Sequence, residues 1–233
     1  MEVGGRLLEI EHGRVANQAG GAVTVQYGET MLLATATASK KPRSGADFLP
    51  LTVDVAEKAY AAGKLPGGFF KREGRPATEA IIAGRMIDRP IRPLFSKTIH
   101  NEIQIIITVL ASDQVNPYPA LGIIGASTAL AISDIAFNDP IAACVIGLVG
   151  GELVVNPTYE ELITSDLELI VAGTGDATMM VESGSNFVSE EILLDALELA
   201  QEVNGAIVEQ IQEIQGKVGK EKWEAPAVSD EEK

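Results

Sequence analysis

The chain has 233 residues, 46% of them hydrophobic, with 23 glycines and a formal net charge of −15. That length and apolar content support a sizeable core in one large or two small domains and exclude a disordered chain. The acidic balance excludes indiscriminate binding of polyanions, because the summed field repels them except where cations dominate locally.

Short strands come first. Residues 6–12, 14–18, 22–27 and 30–38 read as strands separated by Gly13, Gly20-Gly21 and Gly28-Glu29, which predicts an antiparallel meander. Residues 50–56 alternate as a further strand, and the nearly continuous β-branched run 102–110 predicts a central strand buried on both faces. Between them, Pro76 suits the first turn of a helix running to about Ile87. The Ala, Gly, Ser, Leu and Ile run at 120–135 predicts a helix whose small residues let it pack closely on a sheet. Strands resume at 142–149 and 152–155 around a Gly150-Gly151 turn, then at 167–172 and 177–182. Ser189 is placed to cap a long last helix that Gly216 ends, and the polar, charged stretch after Gly216 reads as a linker. Residues 1–216 are thus expected to form the domain, and 217–233 the start of a linker to something not included.

Cys144 lies in the apolar run 141–149, cannot form an internal disulfide, and reads as a small buried hydrophobe. A reducing cytoplasm is expected. The start of the chain lacks a signal-peptide pattern, and no uncharged apolar run reaches the ~20 residues that span a bilayer, so a soluble protein with no membrane partner is expected. His12 and His100 have no cysteine or carboxylate at ligand spacing, and GxSxG, Walker A and GxGxxG patterns are absent.

The chemistry concentrates between Lys58 and Lys97, where nine Lys/Arg meet three Asp/Glu. Gly67 and Gly68 free the backbone to approach a ligand, Phe69 and Phe70 offer stacking faces, and Lys71, Arg72 and Arg75 supply phosphate donors. This is the composition of a clamp for single-stranded nucleic acid, set where the positive end of a helix would open. The plain alternative is a surface loop with an anchoring Phe pair and solvated cations.

Three runs carry a resemblance. Asp47-Phe-Leu-Pro-Leu-Thr-Val53, Tyr60-Ala-Ala-Gly-Lys-Leu-Pro-Gly-Gly-Phe-Phe-Lys-Arg-Glu-Gly-Arg-Pro76 and Ile87-Asp-Arg-Pro-Ile-Arg-Pro-Leu-Phe95 closely resemble the first core domain of the polynucleotide phosphorylase family. The likeness continues through Gln114-Val-Asn116, Ile124-Gly-Ala-Ser127, Val155-Asn-Pro-Thr158, Val171-Ala-Gly-Thr174 and Met180-Val-Glu-Ser183. It implies an α+β, ribonuclease-PH-like domain of mixed β-sheets packed with α-helices. In complete enzymes it also implies a second such core, a helical domain and further RNA-binding modules. The family forms ring-shaped trimers that draw in single-stranded RNA 3′ ends and use inorganic phosphate to release nucleoside diphosphates, reversibly.

The resemblance further implies that Phe69, Phe70, Lys71, Arg72, Arg75 and Arg92 contact RNA. Lys71 replaces the usual Arg and loses its planar fork. The active core of the family uses two aspartates and a lysine around a divalent metal, and aligning on Val171-Ala-Gly173 puts Leu162, Glu168 and Ile170 at those positions. Asp166 and Glu168, two apart, are the remaining candidates for a metal pair. Where the active core has a serine-rich phosphate turn, this chain has Asn116-Pro-Tyr-Pro-Ala-Leu121, whose prolines lack N–H donors. The expectation is a degenerate core with no catalytic residue and no metal of its own, Mg²⁺ belonging to the second core. Two other readings stand beside it: a non-enzymatic RNA-binding or scaffold subunit, and a self-sufficient nuclease using Asp166 and Glu168.

Overall fold

Glycine-bearing turns fold β1 (Glu2–Val3), β2 (Arg6–His12), β3 (Gly21–Tyr27) and β4 (Thr30–Pro42) back on one another as an antiparallel meander. The computed structural model describes residues 1–68, 74–137 and 139–226. The sheet is extended by β6 (Asn101–Ala111), antiparallel to β4, and by β5 (Leu51–Ala56), parallel to β6, giving the order β1-β2-β3-β4-β6-β5. A parallel neighbour needs a crossover, and α1 (Thr78–Ile91) supplies it. A second sheet, ordered β10-β9-β7-β8, is antiparallel throughout: β7 (Ala142–Val149), β8 (Glu152–Val155), β9 (Leu167–Gly173) and β10 (Thr178–Ser185). The expected α+β class with a mixed sheet is thus observed.

Between the sheets lies α2 (Pro119–Ile132), buried from Ala120 to Ile132. Its small residues allow close approach. A Cβ on Gly125 would lie 2.9 Å from the Ala34 Cβ, and one on Gly21 would lie 1.9 Å from the Ala129 carbonyl oxygen. The outer face of the second sheet forms a smaller cluster of Cys144, Ile146, Leu148, Leu169 and Val171 under Ala196 and Ala200 of α4 (Glu190–Val218). Burial pushes the Cys144 thiol up to about 12, as befits the small hydrophobe expected there.

Several expectations are corrected. Residues 14–18 are turns rather than a strand, because Ala16 adopts a left-handed φ of 56° and its carbonyl accepts from Ala19 N–H. β6 is buried on alternate residues only, since α2 covers one face and the other is half open. Pro76 precedes the N-cap Ala77, so α1 starts at Thr78 and continues past Ile87, accommodating Pro90 in its last turn. α2 stops at Ile132, where the Ser133 hydroxyl donates to the Leu130 carbonyl. Ser189 does cap α4, but the helix runs through Gly216 to a cap at Gly219. A short helix, α3 (Tyr159–Thr164), was not foreseen. It rests on a capping box in which Thr158 and Glu161 each satisfy the other's backbone N–H.

The stretch after α4 is also more than a linker. Lys220 N–H donates to Ile132 O at 3.1 Å and Trp223 N–H to Asp134 O at 2.9 Å, laying the chain across the end of α2.

Candidate nucleic-acid interface

Phe69, Phe70, Lys71 and Arg72 lie outside the described residues. The segments flanking them border a cleft of about 1130 Å³ between the edge strand β5 and α1. Lys58, Lys64, Arg75, Arg85 and Arg92 line it together with the carboxylates of Asp54, Glu57 and Asp88. Arg75 is exposed where the chain enters α1. Apolar Ala80 and the close approach of Gly84 to the β5 backbone form the floor, a Gly84 Cβ lying only 3.1 Å from Val53 O.

Arg92 closes the far end of this cleft. Its Nε and Nη2 donate to the two Asp88 oxygens at 2.9 and 2.7 Å, one helical turn back. Nη1 also donates to Leu49 O at 3.1 Å and Nη2 to Leu51 O at 3.0 Å. A planar fork that engages a carboxylate bidentately while capping two edge carbonyls explains an arginine here better than a lysine. The edge of β5 is thereby blunted against further pairing. The neighbouring Arg89 reaches across to Glu182 of β10 at 3.1 Å.

The turn before α2 is built around Asp113. Its carboxylate accepts from Thr30 Oγ1 at 2.9 Å, from Val115 N–H at 2.8 Å, from Asn116 N–H at 2.9 Å and from the Asn116 side chain. Burial alone would raise this carboxyl, but these donors outweigh it and hold it at about 2. Arg6 donates to the Asn116 side-chain oxygen and, at 3.0 Å, to Asn156 O, with its guanidinium carbon 5.3 Å from the Tyr27 ring centre. Tyr118, next in the turn, donates to Glu57 Oε1 at 2.6 Å. Burial first and then Glu57 push the Tyr118 phenol up, and Tyr159 is raised by burial, Glu57, Asp113 and Glu168. Where the resembling active core would hold phosphate, this turn presents a carboxylate centre and two neutral phenols.

A depressed carboxyl stabilises the fold above its ordinary value near 3.8 and loses that contribution as pH falls through about 2. Asp113→Asn should therefore cost about 2 kcal/mol at neutral pH, the worth of charge-assisted bonds lost, and converge on the parent protein near pH 2. Denaturant melts of both proteins across that range check it. A gap that stayed constant would show that the Asp113 charge is not what the turn uses.

The aligned positions carry one carboxylate between two apolar side chains. Leu162 is half-buried and apolar, Ile170 is buried in the core, and Glu168 is exposed on β9 opposite Gly147 and Gly184. Asp166 precedes β9 rather than sharing the strand, and Asn186 Nδ2 donates to it at 3.4 Å. Among the described residues no three His, Cys, Asp or Glu side chains are grouped to hold a metal ion, so the residues do not fit the divalent metal of the active core.

Sequence reasoning missed Arg6, Glu57 and Asp113. Asp113 followed by Asn116 was a local turn signal within reach. Glu57 and Tyr118, 61 residues apart, gave none.

The chain is similar to known proteins over nearly all of its length. The model of the 3′ exoribonuclease family, domain 1, matches residues 4–136, and that of domain 2 matches residues 139–203, so the boundary falls between the two sheets. The polyribonucleotide nucleotidyltransferase of Heliobacterium modesticaldum is 52% identical over 226 residues, 97% of this chain and 32% of that protein. That of Syntrophomonas wolfei is 52% identical over 99% of this chain and 33% of its own length, and that of a Roseiflexus species 55% identical over 84% and 26%. The chain spans about a quarter to a third of the length of these curated relatives.

Proposed function

The chain belongs to the 3′ exoribonuclease family, and on that premise we propose that it is the first ribonuclease-PH-like core of a phosphorolytic 3′–5′ exoribonuclease. In the parent enzyme, a polyribonucleotide nucleotidyltransferase, RNA and inorganic phosphate give nucleoside diphosphates reversibly. This core guides single-stranded RNA and shapes a homotrimer, while the chemistry and its Mg²⁺ belong to a second core. A cytoplasmic setting suits such an enzyme, and no helix among the described residues is long and apolar enough to cross a membrane.

The observation that carries the reading is the replacement of the whole reacting centre. Apolar Leu162 and Ile170 beside an exposed Glu168, and a turn centred on the Asp113 carboxylate, support that reading. The cations around the β5–α1 cleft remain, and RNA would meet Arg75 there; Phe69, Phe70, Lys71 and Arg72, outside the described residues, are its further proposed contacts. Arg92 would add its charge to that path from within its bonds to Asp88 and the β5 edge.

The test is phosphate-dependent release of ADP from poly(A) by the folded 233-residue chain with Mg²⁺, phosphate being omitted in the control. No ADP is expected. ADP that appears only with phosphate, and disappears in an Asp166→Asn, Glu168→Gln double variant, would overturn the reading in favour of a self-sufficient nuclease.

A further inference from the structure

The cleft between β5 and α1 carries an aromatic ring outside the Phe69-to-Arg75 clamp. Tyr60 lines it with 60% of its surface exposed, and it is the one aromatic among the described residues of the lining. Leu65, 94% exposed, borders the same cleft. An anchoring side chain would be buried, and neither of these is.

The ring stands on a tied support. Tyr60 belongs to a short 3-10 turn, Ala59–Ala62, in which Ala61 N–H donates to Lys58 O and Gly63 N–H to Tyr60 O, each at 2.9 Å. Lys64 N–H closes back on Ala59 O at 2.9 Å, and Gly63 takes the left-handed φ of 65° that this reversal requires. Two further bonds fasten the turn to the body of the domain: Ser112 N–H donates to Ala61 O at 2.8 Å, and Lys64 Nζ donates to Gln114 Oε1 at 3.3 Å. A ring presented this way has little freedom left to lose when a flat partner settles on it.

The charges name the partner's chemistry. Among the described residues five cations line the cleft against three carboxylates, and two of those carboxylates are engaged, Asp88 by Arg92 and Glu57 by the Tyr118 hydroxyl. Lys58, Arg75 and Arg85 are exposed and, among the described residues, form no ion pair. A ligand that suits both the ring and these cations is flat at one end and anionic at the other, as each unit of a single-stranded polynucleotide is.

We propose that Tyr60 is a base-stacking platform of the RNA path, holding one base of a single strand over its ring beside Leu65 while Lys58 and Arg85 take the flanking phosphates. The platform rests on the RNA-guiding function proposed above and adds to its phosphate contacts one that carries no charge. Stacking accepts every base, so Tyr60 grips the strand without selecting its sequence.

A contact without charge leaves no mark on salt dependence, whereas each lost phosphate contact flattens it. Anisotropy titrations of a labelled oligoadenylate against the 233-residue chain at several salt concentrations therefore separate the two. Tyr60→Leu, which stays apolar but loses the ring, is expected to bind about tenfold more weakly with the salt slope of the parent. Lys58→Ala should flatten that slope by roughly 0.7. Tyr60→Phe keeps the ring and should restore the parent affinity, which a role through the hydroxyl would not allow. If the parent chain binds while Tyr60→Leu binds equally well, or while Tyr60→Phe is as weak as Tyr60→Leu, the platform is overturned and the RNA-guiding function stands. A Tyr60→Leu slope as flat as that of Lys58→Ala would also overturn it, making Tyr60 a prop for the cations. A parent chain that binds no oligoadenylate would overturn the RNA-guiding function and the platform with it.

Discussion

Replacing Gly21 with alanine is expected to cost about 3 kcal/mol of stability, a loss of the size seen when a packed core is forced apart. The added Cβ would sit 1.9 Å from Ala129 O and 3.1 Å from the Ser133 Cβ. Neither is the far end of a flexible side chain. The collision is with the backbone of α2, which is held between two sheets and has no free direction in which to move. Urea melts of Gly21→Ala should show a lower midpoint with the slope unchanged, because the same surface is exposed on unfolding. A midpoint within error of the parent would mean that α2 rides further from β3 than the structure has it. Gly150→Ala is the useful contrast: its Cβ meets open space, and the penalty there comes only from a left-handed φ of 61°.

Arg92→Ala should rank close behind, at about 2 kcal/mol. Removing the guanidinium leaves the Leu49 and Leu51 carbonyls at an open sheet edge and strips Asp88 of its bidentate partner. The pair is partly solvated, with 41% and 27% of the two side chains exposed, so the loss lies below that for a fully buried ion pair. Arg92→Lys should recover less than half, because one ammonium cannot serve two carboxylate oxygens and two carbonyls at once. A double-mutant cycle with Asp88→Ala separates the pair from the edge capping. If Arg92→Ala cost nothing while weakening RNA binding, Arg92 would belong to the RNA path rather than to the frame of the cleft.

These two positions also show where sequence reasoning reaches. Gly150-Gly151 and Ser189 act through their immediate neighbours, by left-handed turn geometry and by a side-chain cap, and both were legible. Gly21 was legible only as a glycine in a turn cluster, since the reason for it lies in Ala129, more than a hundred residues on. The Asp88–Arg92 pairing has helical spacing, but Leu49 and Leu51 enter only through the fold. Lys220 and Lys222 looked like linker residues because carbonyl capping by a lysine leaves no periodic signature. Gly216 failed as a helix stop because it sits on the exposed face of α4, where a helical glycine is tolerated at a cost of about 1 kcal/mol. α3 is six residues long, too short for periodicity to reveal, although Thr158-x-x-Glu161 announced its cap. The site followed the same division: the basic cluster could be read directly, whereas the opposite electrostatic character of the Asp113–Tyr118 turn required Glu57, Tyr159 and Glu168 to be brought to it.

The central claim is that this core retains the RNA path and has lost the chemistry, and salt-dependent RNA binding tests it most directly. Anisotropy titrations of a labelled single-stranded oligoadenylate at several salt concentrations give the slope of log affinity against log salt for the parent chain and for Lys71→Ala, Arg72→Ala, Arg75→Ala combined. Each phosphate contact contributes roughly 0.7 to the slope for single strands, so the triple variant should bind more weakly with a slope flatter by about 2. Equal slopes in the two proteins would contradict the account and assign these cations to the fold.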